Sequence, residues 1–170
     1  YDPADPTPNL GGAVLAFFGA GPVDNAPLEA RADVLGFTTA PLATPVTVIG
    51  QVEARIFLRS SIGHADLFVR LCDVNPAGRS TNVCDGYMRL APEPGNPVRE
   101  VRLMLHATAY QFAHGHRLRL LVASGAHPRY ARNMGTDEPP GEATTLVAAD
   151  IEIFHDPEYP SGITLPVFAL

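Results

Sequence analysis

Lysine is missing from this chain. All twelve basic side chains are arginines, set against eighteen carboxylates, and the net charge is −6. That balance excludes a phosphate backbone as partner, because nucleic-acid binding needs a concentrated basic face. With Ala, Gly and Pro so abundant, the missing lysine reads as a GC-rich coding bias. Long apolar runs are missing too: none approaches the ~18 residues of a membrane-crossing helix, so no membrane partner is expected. No charged segment followed by an apolar one opens the chain, and a cytoplasmic location is expected. Cysteine is scarce. Cys72 and Cys84 flank a short turn, so they form either a disulfide between neighbouring strands or two half-buried free thiols. The second reading is favoured where no secretory signal is visible. Seventeen prolines and fifteen glycines leave little room for long helices.

What is present describes one globular domain. Apolar residues make up 46% and charged residues 18% of 170 positions, and a chain of that size buries roughly 70% of its unfolded surface. It begins with Tyr1, from which we expect a piece of a longer polypeptide. Alternation with period two dominates. In PVTVIGQVEARIFLR, Val46, Val48, Val52, Ala54, Ile56 and Leu58 share one face, while Thr47, Gln51, Glu53, Arg55 and Arg59 share the other. This is one long strand, or two broken at Gly50. VREVRLMLH places Val101, Leu103 and Leu105 together, and HRLRLLVAS does the same for Leu118, Leu120 and Val122. Around DLFVRLCDV and STNVCDGYMRL the alternation weakens, as it does where both faces are covered. Asn75-Pro76-Ala77-Gly78 between them marks a hairpin turn.

Further strands are expected at 33–39, 147–154 and 163–168, and one short helical turn at ATAYQF. About eight short strands with Pro/Gly turns predict an all-β chain, a β-sandwich of jelly-roll type. Residues 1–30 are too rich in Pro and Gly to form regular structure for long and read as an extended arm lying against something. Residues 31–170 form the sandwich. RNMGTDEPPGEATT is a polar loop in which Pro139-Pro140 stops any helix.

The chemistry-bearing residues do not assemble into a motif. A serine nucleophile of the α/β-hydrolase kind needs G-x-S-x-G on a strand-to-helix turn, and Ser60, Ser61, Ser80, Ser124 and Ser161 all lack that frame. Ser124 and His127, three apart near a strand end, cannot readily point at each other. His114 and His116 form an H-x-H pair of the kind found in zinc and copper sites, but no third ligand stands ready. Asp66, Asp73 and Asp85 sit on neighbouring strands, close enough for acid–base work. A structural role is favoured for them, with Arg55, Arg70 and Arg89 as partners. Arg117, Arg119, Arg129 and Arg132 read as a surface facing solvent or another domain. No catalytic residue, metal site or cofactor is therefore expected.

The motifs nevertheless fall in a recognisable order. YDPADPTPNLGG is followed by RADVLGFTTAPL, PVTVIGQVEARIFL, the turn from Asp73 to Arg79, Asp85-Gly86, FAHGHRLRL, HPRYARNMGT and HDPEYPSGITLPV. Over essentially its whole length the chain resembles the C-terminal β-domain of the cocaine esterase/X-Pro dipeptidyl-peptidase family of serine hydrolases. The resemblance implies a galactose-binding-like sandwich that packs on an α/β-hydrolase catalytic domain of the same polypeptide and helps wall its active site. The catalytic residues lie in that other domain. In the stretch from Ala13 to Phe17 it makes Leu15, Ala16 and Phe17 the candidate edge of the active site.

The departures are His64-Ala65-Asp66-Leu67 where the family reads D-T-D-F, His114 in place of a proline, and His127 in place of an aromatic residue. Two other readings compete with a hydrolase domain. A carbohydrate-binding module would need exposed aromatics, against which stand the absence of Trp and only five Tyr. The other is an oligomerisation domain, with the arm and one sheet face as the contact.

Overall fold

The computed structural model describes residues 1–15, 17–139 and 141–169. Among them ten strands and one helical turn are formed: α1 (Ala26–Glu29), β1 (Val34–Thr38), β2 (Val46–Gly50), β3 (Glu53–Ser60), β4 (Ala65–Val74), β5 (Ser80–Leu90), β6 (Arg99–Met104), β7 (Thr108–Phe112), β8 (Arg117–Ala123), β9 (Ile151–Phe154) and β10 (Gly162–Thr164). One antiparallel sheet runs in the order β1-β8-β4-β5. In the other, β3 pairs with β6 on one side and with β9 and β10 on the other. β2 and β7 pair with each other and continue β3 and β6 past a break. Leu105 N–H donates to Val52 C=O across that break at 2.9 Å. Gly50 sits there at φ +130, a conformation that only glycine adopts without strain.

The two sheets are packed face to face as a β-sandwich. Val52, Ala54, Ile56 and Leu58 on one side meet Leu67, Val69, Leu71, Leu118 and Val122 on the other, all buried. The alternation in the sequence accounts for this directly: each of these is an every-second residue of its strand. The two sheets differ in what covers their outer faces. The β3/β6 sheet presents Arg55, Glu100, Arg102 and Glu53 as exposed cross-strand ion pairs, an ordinary solvated face. The β4/β5 sheet carries a second apolar cluster of Val34, Phe68, Cys72, Leu121, Ala123 and Ala126. As a result every residue of β4 is buried, and its alternation is correspondingly faint.

Two expectations need correction. ATAYQF is not a helical turn: Thr108–Phe112 is β7, in register with β2 through Val48 and Tyr110. Pairing with β2 and full burial of Phe112 override the weak helical preference of an Ala-rich hexapeptide. The strands expected at 147–154 and 163–168 contract to Ile151–Phe154 and Gly162–Thr164, with Val167 retained only as an isolated bridge to Val48. Among the described residues of 1–30 the one regular element is the four-residue α1, where Pro27 occupies the first turn, as suits a residue without an N–H.

The favoured reading of the cysteines as free thiols holds, with both of them buried rather than half-buried. Cys72 and Cys84 are free and buried, and they lie on opposite faces of one sheet, each in a different apolar cluster. β4 and β5 pair Leu71 with Cys84, and a bulge then pairs Cys72 with Asn82. Side chains pointing to opposite faces cannot be bridged. The disulfide reading is thereby closed in favour of free thiols.

Candidate functional site

The β4–β5 hairpin turns at Asn75–Gly78, where Gly78 N–H donates to Asn75 C=O at 2.9 Å. The register set by that turn, shifted by one residue at the bulge between Leu71 and Cys72, places Asp66 opposite Arg89 and Arg70 opposite Asp85 on the outer face of the sheet. Both pairs close. Asp66 accepts from Arg89 at 3.0 and 2.9 Å, from the Tyr87 hydroxyl at 2.6 Å and from the Asn133 amide at 2.8 Å. With four donors and 2% exposure, its carboxylate is fully employed in structure. Tyr87 stacks on Tyr130 with ring centres 4.0 Å apart, and burial beside Asp66 holds its hydroxyl well above the usual tyrosine range.

The second pair builds a deeper cluster. Arg70, 0% exposed, donates to Asp85 Oδ2 at 3.0 Å, to Asn25 Oδ1 at 2.9 Å and to the Leu10 carbonyl at 2.6 Å. Arg129 donates to the other oxygen of Asp85 at 2.8 Å. Two guanidinium groups thus share one buried carboxylate, and they stack over Phe68 and Tyr130 respectively. The arm is what seals the cluster. Asn9 N–H donates to His127 C=O and His127 N–H to Thr7 C=O, at 2.7 and 2.8 Å. Beyond the loop, Val23 N–H donates to Asn82 Oδ1 and Asn25 N–H to Ser80 C=O, both at 2.8 Å.

Between these two anchored flanks the chain leaves the surface as a narrow loop. Gly12 and Gly21 exchange both backbone hydrogen bonds, at 2.8 and 2.9 Å, and close the loop at its neck. Glycine is required on the inner side of that neck. Gly11 and Gly12 lie at φ +57 and +81, and a Cβ on Gly12 would fall 2.7 Å from Asp85 Oδ2. Above the neck the side chains have nothing to pack on: Leu15, Phe17 and Phe18 are 108%, 101% and 93% exposed. Ala16 lies outside the described residues. An apolar tip of this kind, lifted from the surface on a pinned base, is the form of a surface that awaits a partner.

The other chemistry-bearing residues go elsewhere. His116 Nδ1 lies 2.9 Å from both oxygens of Asp73, and the Tyr110 hydroxyl donates to the same carboxylate at 2.8 Å. The H-x-H pair therefore contributes one histidine to a hydrogen-bonded contact that ties the β7–β8 turn to β4, while His114 is exposed. Among the described residues no group of three His, Cys, Asp or Glu could hold a metal. Ser124 and His127 are joined by no hydrogen bond among those described.

Asp66, Asp73 and Asp85 each have their own cationic or hydroxyl partners, as a structural role requires, with Arg89 and Arg70 serving two of them and Arg55 pairing with Glu100 instead. The arginine strip is not one surface, which corrects the sequence reading. Arg129 is drawn into the buried cluster, Arg119 pairs with Glu29, and Arg132 and Arg117 donate to the backbone of Pro3 and Thr39. The arm folds over positions that alternation alone assigns to the outside.

Sequence reading missed Phe18, Asn25, Asn82 and the Arg70–Asp85–Arg129 cluster. One signal for the cluster was present. In an antiparallel hairpin about Asn75–Gly78, acid and base alternate as Asp66…Arg70 and Asp85…Arg89 with the same spacing on both strands, and the one-residue bulge between Leu71 and Cys72 brings each acid opposite a base.

Comparison with known proteins places this architecture. Residues 1–164 match the family described as X-Pro dipeptidyl-peptidase C-terminal non-catalytic domain. The chain is 40% identical over 182 aligned positions to cocaine esterase from Rhodococcus sp. (strain MB1 Bresler), covering 98% of this chain and 31% of that protein. It superposes on an α-amino acid ester hydrolase with a TM-score of 0.89 and 27% identity, over 99% of this chain and 32% of the other. It also superposes on an aminopeptidase from the marine sediment archaeon Thaumarchaeota archaeon, with a TM-score of 0.81, 27% identity and the same coverage. The chain spans about a third of the length of these relatives.

Proposed function

Because this chain belongs to the family of X-Pro dipeptidyl-peptidase C-terminal non-catalytic domains, we propose that it docks through its apolar loop onto the α/β-hydrolase domain of one polypeptide. The enzyme so completed is a serine hydrolase of acyl esters or X-Pro peptides. In this reading Leu15 and Phe17, with Ala16 between them, form the edge of the active-site entrance. Phe18 adds a third anchor beside them.

The observation that carries the reading is the full exposure of three large apolar side chains on a loop whose neck is fixed by a buried ion cluster. Burying a Leu or Phe side chain contributes about 1.5–3 kcal/mol each, and a pre-shaped loop loses little entropy on docking. Such a loop is suited to binding and poorly suited to remaining in water. A sugar-binding role has less support: Tyr87 and Tyr130 stack on each other rather than standing free as a platform.

The test is a pair of substitutions, Phe17→Ser and Phe18→Ser, made in the full-length hydrolase. The expected outcome is a fall in kcat/KM of at least tenfold. The thermal midpoint of the 170-residue chain should stay unchanged, because neither ring packs within it. Phe168→Ser, an exposed apolar residue near the other end of the chain, serves as the control and should leave activity intact. Full activity in the double variant would exclude docking through the loop. Sedimentation of the 170-residue chain separates this from self-association: a dimer that dissociates on the same two substitutions would make the loop an oligomer contact.

A further inference from the structure

The two sheets do not close against each other along their whole length. Between β1 and β8 on one side and β9 and β10 on the other lies a cavity of about 480 Å3, bounded by Phe37, Leu118, Leu120, Ile153, Ile163 and Leu165. It lies outside the loop and the ion cluster described above. Its volume falls within the roughly 300–1,000 Å3 of small-molecule sites. Leu118, Leu120 and Val122 point into it as the inward-facing residues of β8. It is a half-open slot at the sandwich edge, with Ile56, Leu118 and Val122 buried at its floor and Thr38, Thr39 and His155 exposed at its mouth.

The chemistry of the wall restricts what can enter. The lining contains four groups able to hydrogen-bond through side chains, and three are already engaged. Thr38 Oγ1 accepts from Arg119 Nε at 2.8 Å. Thr39 Oγ1 donates to Ala40 C=O at 2.8 Å and accepts from Leu118 N–H at 3.2 Å. Ser161 Oγ accepts from Phe57 N–H at 2.8 Å and donates to the Phe154 carbonyl. Only the His155 ring, exposed and in edge contact with Phe37 at 5.3 Å, makes no hydrogen bond among the described residues. No Arg, Asp or Glu lines the cavity.

A ligand therefore finds apolar walls from facing sheets and, among the described residues, one ring without a hydrogen-bond partner and no Arg, Asp or Glu to pair with. We propose that this slot is a binding site for an unbranched aliphatic chain with a single uncharged polar head. The chain lies between the sheets and the head meets His155. The proposal stands on the cavity alone and does not depend on how the loop is used.

The probes are 1-butanol, 1-hexanol and 1-octanol, titrated into the 170-residue chain and followed by methyl chemical shifts and by the thermal midpoint. The expected result is affinity rising about fourfold per added methylene, a midpoint that climbs with ligand concentration, and shifts confined to Leu118, Leu120, Ile153, Ile163 and Leu165. Leu120→Trp, which fills the slot, should abolish the shifts. Ile163→Phe, on the three-residue β10, is the milder filling should the tryptophan not fold.

Affinity independent of chain length, shifts centred on Leu15 and Phe17, or binding unchanged in a folded filled variant would each overturn the proposal. Octanoate binding more tightly than 1-octanol would overturn the assignment of an uncharged ligand. A dimer that dissociates in the filled variant would show that a second copy occupies the slot.

Discussion

Asp85 receives two arginines, and this arrangement makes it the residue on which the outer face depends. Removing one partner of a buried ion pair leaves an uncompensated charge, which costs about 3–5 kcal/mol. Asp85→Asn leaves Arg70, at 0% exposure, without an anion. Urea denaturation of this variant should show a loss of that size with an unchanged denaturant slope. A loss under 1 kcal/mol would mean that the cluster relaxes into solvent.

The thiols give a second prediction at the residue scale. Burial pushes both Cys72 and Cys84 up to about 12 from an ordinary value of 9. Above pH 9 the unfolded chain releases these protons and the folded chain retains them, so stability falls as pH rises between 9 and 12, by about 1.4 kcal/mol per pH unit for each group. Under reductant, urea midpoints at pH 8 and pH 10 should therefore differ, and replacing both cysteines by alanine should remove most of the difference. Equal midpoints at the two pH values would contradict the burial argument.

At the scale of elements, the loop neck is the point of tightest geometry. Gly12→Ala must hold φ +81 and bring a methyl to 2.7 Å from Asp85 Oδ2, which costs about 1–3 kcal/mol in backbone strain before any displacement of the cluster. We expect calorimetry to show a lowered midpoint for Gly12→Ala. Gly19→Ala is a matched control, since it shares a positive φ of +74 but has nothing within 4 Å of a Cβ. If the two variants fall equally, the strain is backbone alone and the ion cluster does not feel the loop. The same scale explains the misread β7. A six-residue segment has too little local preference to decide its own conformation, and β2 decides it by pairing.

At the scale of the whole molecule, the arm is a layer of the fold. It supplies Leu10 and Asn25 to the buried Arg70 guanidinium, and it is held independently on each side of the loop, by Thr7 and Asn9 on His127 and by Val23 and Asn25 on Asn82 and Ser80. Chymotrypsin at low ratio should therefore nick the chain after Phe17 or Phe18 without dissociating it. The two fragments should elute together on native size exclusion and separate only in denaturant. Release of the N-terminal fragment under native conditions would show that the arm is held by one anchor only. Deletion of residues 1–30 should be far more damaging than the nick, because it strips the buried Arg70 of its Leu10 and Asn25 partners.

By itself, the sequence determined the all-β class, the inward faces of β3, β6 and β8, the turn at Asn75–Gly78 and the family. Each rests on local information: the two-residue period of a strand, the conformational limits of Pro and Gly, or short motifs in order. Tertiary structure alone decided that β4 is covered on both sides, that Arg129 is buried rather than solvated, and that Cys72 and Cys84 face apart. It also decided that β7 is a strand and that Phe18 stands free beside Leu15 and Phe17. All of these follow from which distant segment lies on which face. Alternation reports that a strand has two faces, but whether the second meets water or residues 1–30 is set by contacts far apart along the chain, which no local pattern encodes.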